Sequence, residues 1–231
     1  MIKNIVLVHG AFADGSSWTK VIRLLQEADY HVTAVQQPLT SLEEDVAITR
    51  HILSLQEGPA ILVGHSYGGM IITVAGNASN VAGLVYIAAY APDEGENMND
   101  LKSKFPPAAG STHVTRDEQG YLWIERAAFP EFFAGDVDAQ EARTMAAVQM
   151  PWKGSATRIS NPAWRSRPSW YQISERDQMI SPDLQRFMAK RIGAETISLA
   201  SSHASAVSHP REIADLIIAA TRSPAPGPPL A

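Results

Sequence analysis

The 231 residues carry 19 Lys+Arg against 24 Asp+Glu, a formal net charge of −5, with no Cys and 45 % apolar residues. Without Cys there can be no disulfide framework, thiolate metal site or cysteine nucleophile. An acidic balance without a Lys/Arg cluster excludes the electrostatic footprint of nucleic-acid binding.

A domain of this length buries roughly 70–75 % of the surface its unfolded chain would expose, so its core needs no metal or disulfide. The longest nearly unbroken apolar run, Val81 to Ala91, has eleven residues, short of the ~18 that span a bilayer. No membrane partner is therefore expected. Met1-Ile2-Lys3-Asn4 leads straight into Ile5-Val6-Leu7-Val8, which leaves no room for a secretory leader, and a cytoplasmic location is expected.

In chain order, an apolar strand is expected from Ile2 to Val8, then a helix from Ser17 to Ala28 whose Val21, Leu24, Leu25 and Ala28 form an i, i+3, i+4, i+7 stripe. A strand from His31 to Val35 precedes a helix from Leu42 to Gln56, opened by a Ser41/Glu44 capping box. Ala60 to Gly64 reads as strand, Tyr67 to Ala78 as helix and Val81 to Ala88 as strand.

Between residues 93 and 167 no strand is apparent, yet this third of the chain holds eight of the 17 aromatic residues. Short helical patterns such as Asp138 to Met150 suggest an inserted helical cap rather than a loop of improbable length. Single aromatic rings are mostly packing residues. Only their collective position nominates Phe12, Tyr121, Trp123, Phe132 and Trp152 as pocket residues.

Strand Ser169 to Ser174, helix Pro182 to Ile192, strand Glu195 to Leu199 and helix Pro210 to Arg222 complete the pattern. Pro182 and Pro210 suit a first helical position. Short apolar strands alternating with helices predict an α/β fold, a mainly parallel six-stranded sheet with helices on both faces. Residues 1–92 and 168–222 would form the core, 93–167 the cap inserted after the fourth strand, and 223–231, rich in Pro, a disordered tail.

The strongest local signal is Gly64-His65-Ser66-Tyr67-Gly68-Gly69, between a strand and a helix. A sharp strand-to-helix turn strains the Ser backbone, and only small residues two positions before and after it let the two arms pass. Ser66 would then stand at the sheet's carboxyl end, above a helix N-terminus.

A serine hydroxyl is a poor nucleophile without a base, and the base needs an orienting carboxylate. Of seven His, only His203 follows a late strand in a loop that could fold back over the strand ends. The loop after the preceding strand offers Asp177, with Glu175, Asp183 and Asp93 as competitors. Val8-His9-Gly10-Ala11-Phe12 is a Gly-containing turn after the first strand, and the N–H groups of Ala11 and Tyr67 are the candidate oxyanion donors.

Together these motifs resemble the α/β-hydrolase superfamily, from about Ile2 to Arg222, and within it the branch of small bacterial carboxylesterases, pyrethroid-hydrolysing esterases, plant methyl-ester esterases and hydroxynitrile lyases. The resemblance implies an α/β-hydrolase fold and a Ser66–His203–Asp177 triad. It implies hydrolysis of a small carboxylic ester with an apolar part through an acyl-enzyme, with no cofactor and no metal. The lyases carry Thr where Gly10 stands and Lys where Ala204 stands, and epoxide hydrolases and dehalogenases carry Asp at Ser66, so hydrolysis is favoured. Thioester, lactone, carbon–carbon, hydroxynitrile lyase or perhydrolase chemistry and a non-catalytic small-ligand receptor remain the alternatives, and a homodimer is left open.

Overall fold

The computed structural model describes residues 1–222; the expected tail, 223–231, lies outside the described residues. The first half alternates β1 (Asn4–Val8), α1 (Thr19–Glu27), β2 (His31–Val35), α2 (Leu42–Ser54), β3 (Ala60–His65), α3 (Gly68–Ala75) and β4 (Val81–Ile87). Next come α4 (Met98–Lys102), β5 (Val114–Arg116), β6 (Leu122–Ile124), α5 (Phe129–Phe132) and α6 (Ala139–Val148). The chain returns through β7 (Ser169–Ser174), α7 (Pro182–Arg191), β8 (Glu195–Leu199), α8 (Ser205–Ser208) and α9 (Pro210–Arg222).

The six long strands run in the order β2-β1-β3-β4-β7-β8. Each neighbouring pair is parallel, so the sheet is wholly rather than mainly parallel. Because side chains alternate across a strand, β1 sends Ile5 and Leu7 to one face and Val6 and Val8 to the other. The first face packs Trp18, Val21, Leu25, Ile213 and Ile217, from α1, α9 and the turn ahead of α1. The second packs Leu42, Val46, Met70, Ile71 and Leu184, from α2, α3 and α7. Burial on both faces explains why the strands read as continuous apolar runs.

Three elements differ locally from the sequence reading. The first strand begins at Asn4, whose Nδ2 donates to the Glu57 carbonyl at 2.7 Å. The first helix opens with a 3₁₀ turn, Gly15–Trp18, because the Asp14 carboxylate caps Ser16 N–H and winds that turn tightly. The helix after Ser66 is only eight residues, Gly68–Ala75.

The segment expected to be helical also contains an antiparallel hairpin, β5 and β6, with Thr115 opposite Trp123. Trp152 is bridged to Leu122 at its edge. Its Phe129, Phe133 and Trp152 belong to the same apolar cluster as Val8, Tyr67 and Met70. This segment therefore sits against the sheet face that carries α2 and α3.

From β1 the chain steps to β2 on one side and then to β3 on the other. Such a reversal opens a crevice outside the carboxyl ends of the two strands. Val8 pairs with Gly64 at that edge, so the turns after β1 and β3 face each other there.

Candidate active site

Ser66 occupies the turn between β3 and α3 with φ 56°, a left-handed conformation that costs a non-glycine residue about 1–2 kcal/mol. Neighbouring backbone holds it: Ser66 N–H donates to Ile87 O at 3.2 Å, and its carbonyl accepts from Gly69 and Tyr90 N–H at 3.0 Å each. The turn closes so tightly that a Cβ on Gly64 would lie 2.6 Å from Gly68 O, and one on Gly68 2.6 Å from Val8 O. The sequence spacing of these glycines is thus a steric requirement.

The loops after β7 and β8 bring two further groups to Ser66. His203 Nε2 lies 2.9 Å from Ser66 Oγ, and His203 Nδ1 lies 2.7 Å from Asp177 Oδ2. Ser66, Asp177 and His203 are 7 %, 5 % and 1 % exposed, so this line of three is shielded from water. Asp177 Oδ1 accepts Met179 and Ile180 N–H at 2.7 and 2.9 Å, and Oδ2 also accepts from Gln185 Nε2 at 2.8 Å. Four donors on one carboxylate fix its position and orientation.

The two loops are stitched to each other, Glu175 N–H to Leu199 O at 2.9 Å and Arg176 N–H to Ser201 O at 3.0 Å. The competing acids are engaged elsewhere. Glu175 and Asp183 both pair with Arg186, and Asp93 pairs with Arg165 at 2.6 Å.

His203 is held from behind as well. Its carbonyl accepts from His65 Nε2 at 2.9 Å, its ring meets Phe133 edge-on with centroids 4.8 Å apart, and Ala204 N–H donates to Phe133 O at 3.1 Å. Burial holds His65 well below the usual imidazole range, so it stays neutral and donates.

On the opposite side, His9 Nε2 accepts Gln37 N–H at 2.9 Å, which leaves Nδ1 to donate to Gly10 O at 2.9 Å. That pins the Gly10 turn. Among the described residues the N–H groups of Ala11 and Tyr67 have no acceptor, and both residues line the cavity above Ser66. A Cβ on Gly10 would lie 2.7 Å from Ser66 Cβ.

Behind Tyr67 stands a fully buried acid that the sequence reading did not single out. The Tyr67 hydroxyl donates to Asp45 Oδ2 at 2.8 Å, and Leu39 N–H donates to Asp45 Oδ1 at 2.9 Å. Burial pushes the Asp45 carboxyl up to about 6 and raises the Tyr67 phenol above its ordinary value. The signal was present: Leu42, Asp45, Val46, Thr49 and Leu53, all buried, share one helical stripe.

The cavity holds about 240 Å³. Phe12 and Trp152 line it, their rings edge-on with centroids 5.9 Å apart. Tyr121, Trp123 and Phe132 do not. In each case a neighbour in sequence takes the place: Leu122 lines the cavity between Tyr121 and Trp123, as strand alternation requires, and Phe133 lines it while Phe132 stacks on His113. Tyr90, Met98, Lys102, Ser111, Val114, Met179 and Ile180 complete the wall. Among the described residues there is no three-residue cluster suited to a metal ion and no helix able to cross a membrane.

A family model described as "Alpha/beta hydrolase family" matches residues 5–216. The chain belongs to the alpha/beta hydrolase family. Most of its named relatives there are esterases and hydrolases, and one, 36 % identical over 45 % of this chain, is the salicylic acid-binding protein 2 of Nicotiana tabacum. It is 32 % identical to a carbendazim hydrolyzing esterase of Nocardioides sp. over a stretch that spans 48 % of this chain and 52 % of that protein, about half its length. With a pyrethroid hydrolase of Sphingobium wenxiniae it shares 26 % identity over 97 % of this chain and 89 % of the relative. The crystal structure of the pyrethroid hydrolase PytH superposes with a TM-score of 0.82 at 23 % identity, over 98 % of this chain and 100 % of that one, and shows the shared fold.

Proposed function

We propose that the protein is a carboxylesterase-type serine hydrolase that cleaves small esters with an apolar part. One observation carries the reading: Ser66, His203 and Asp177, from three different loops, lie in a single buried hydrogen-bonded line, 2.9 and 2.7 Å between partners. The esterase and hydrolase names of its relatives support it.

His203 Nε2 takes the proton of Ser66 as Oγ attacks the ester carbonyl, and Asp177 stabilises the imidazolium that results. The N–H groups of Ala11 and Tyr67 receive the developing oxyanion. The intermediate then collapses: the bond to the alkoxide breaks, the alkoxide takes the proton from His203 and leaves as the alcohol, and the acyl group stays on Ser66. A water enters, loses its proton to His203 and attacks the acyl carbon. The acid departs and Ser66 recovers its proton.

The apolar wall of Phe12, Trp152, Leu122 and Met98 favours an apolar substituent beside the carbonyl. Residues 93–167 supply much of that wall and act as the cap.

Hydrolysis of 4-nitrophenyl acetate, butyrate and octanoate by the wild type and by Ser66→Ala tests this reading. The variant should lose a factor of about 10⁴–10⁶. An inactive wild type, or a fully active variant, would refute it.

A further inference from the structure

Lys102 is the last residue of α4, a five-residue helix fixed by a reciprocal Asn97/Asp100 capping box and by Arg158 on Asp100 at 2.7 Å. It lines the cavity above Ser66 and also an adjoining groove of about 490 Å³. The two are continuous, since Tyr90, Lys102, Ser111, Met179 and Ile180 belong to both. Among the described residues, Lys102 is the one Lys, Arg, Asp or Glu in either wall.

Its ammonium lies over the face of the Tyr90 ring, and no carboxylate among the described residues answers its charge. Among the described residues no carboxylate lies within 4.0 Å of its ammonium, while the basic groups around it are each taken: Lys104 and Arg191 by Glu96, Arg158 by Asp100. Lys102 is exposed to solvent, and desolvation by the surrounding protein lowers its ammonium from the ordinary lysine range. A second polar group stands beside it. Tyr90 is 4 % exposed, its ring centroid is 5.9 Å from Lys102 Nζ, and its hydroxyl has no hydrogen-bond partner among the described residues.

An ammonium without a carboxylate and a hydroxyl without a hydrogen-bond partner, both in the wall of this cavity, would gain from one ligand group, a carboxylate. We propose that Lys102 and Tyr90 form an anion subsite of the Ser66 cavity, which selects esters that bear a carboxylate remote from the scissile bond, such as monoesters of dicarboxylic acids. The proposal rests on the ester-hydrolase reading and gives it a substrate class. The apolar stretch of such a substrate lies along Met98, Phe133 and Met179, and its charged end reaches Lys102.

The test has a binding arm and a turnover arm. Ser66→Ala, monitored by tryptophan fluorescence, should bind monomethyl adipate about ten-fold more tightly than methyl hexanoate. Adding Lys102→Met should abolish that preference, Tyr90→Phe should reduce it, and raising salt from about 0.1 to 0.5 M should narrow it. In turnover, wild-type kcat/KM for mono-4-nitrophenyl adipate should exceed that for 4-nitrophenyl hexanoate, and Lys102→Met should reverse the order.

Equal binding of the two ligands, or a Lys102→Met variant that weakens both equally, overturns the subsite. In that case cleavage of the hexanoate would leave the ester-hydrolase reading standing. A Lys102-dependent binding preference with neither chromogenic ester cleaved would support the subsite and refute the hydrolase reading.

Discussion

Asp45→Asn should remove a pH-dependent part of the protein's stability. Asp45 is 0 % exposed and holds both the Tyr67 hydroxyl and Leu39 N–H. Its carboxyl is raised from 3.8 to about 6 by burial, against the opposing effect of those two hydrogen bonds. Between these values the native state binds a proton that the unfolded chain does not, so stability falls as pH rises through the window. The contribution is fully present below the unfolded value and is lost above about pH 6. For these two values, the carboxyl adds about 2 kcal/mol at about pH 4.5 relative to about pH 7.

Asn at this position cannot titrate. Its Oδ1 can still accept Leu39 N–H and its Nδ2 can donate to the Tyr67 oxygen. Urea unfolding of both proteins at the two pH values isolates the effect, because every other titrating group cancels in the difference. The wild type should gain about 2 kcal/mol on the variant in going from about pH 7 to about pH 4.5. A difference that stays constant, or moves in the variant's favour, would refute a buried, raised Asp45.

The remaining expectations concern the site itself. Asp177→Asn should keep the fold and lower kcat by about 10⁴, because an amide in place of the carboxylate favours the wrong His203 tautomer; steady-state kinetics on 4-nitrophenyl butyrate would show it. Gly10→Ala puts a Cβ 2.7 Å from Ser66 Cβ and 3.2 Å from Oγ. It should lower kcat by about 10²–10³ as the oxyanion turn and Ser66 are forced apart, with circular dichroism unchanged. Gln185→Leu leaves Ser174 N–H without its acceptor at 3.0 Å and removes one donor from Asp177. It should cost about 1–3 kcal/mol in denaturant unfolding, whereas a neutral result would show that water replaces the amide.

The framework was legible because burial on both sheet faces writes itself into the sequence. His31–Val35, Ser169–Ser174 and Glu195–Leu199 match their expected ranges residue for residue, since polar or turn residues bound each run. Ser66 was legible through a backbone constraint: only glycine fits at Gly64 and Gly68. The three-residue strands β5 and β6 were not, because Val114-Thr115-Arg116 is too short to display a period.

The wall of the cavity was the least readable part. Whether Phe132 or Phe133 faces His203 turns on how one short helix is rotated, which composition does not encode. Asp45 hid among Glu43 and Glu44, since any acid suits a helix's first turn. Tyr90 and Lys102 carry no motif, and their role emerges only from the cavity they share.

Ser66 as a nucleophile activated by His203 is the central claim about this protein. Treating the wild type with a 4-nitrophenyl alkylphosphonate tests this most directly, with intact-mass and peptide analysis run beside the ester assay. One equivalent of 4-nitrophenol should be released, one phosphonyl group should appear on Ser66, and esterase activity should fall in proportion to labelling. Label on another residue, or ester hydrolysis that survives full labelling of Ser66, would contradict the account.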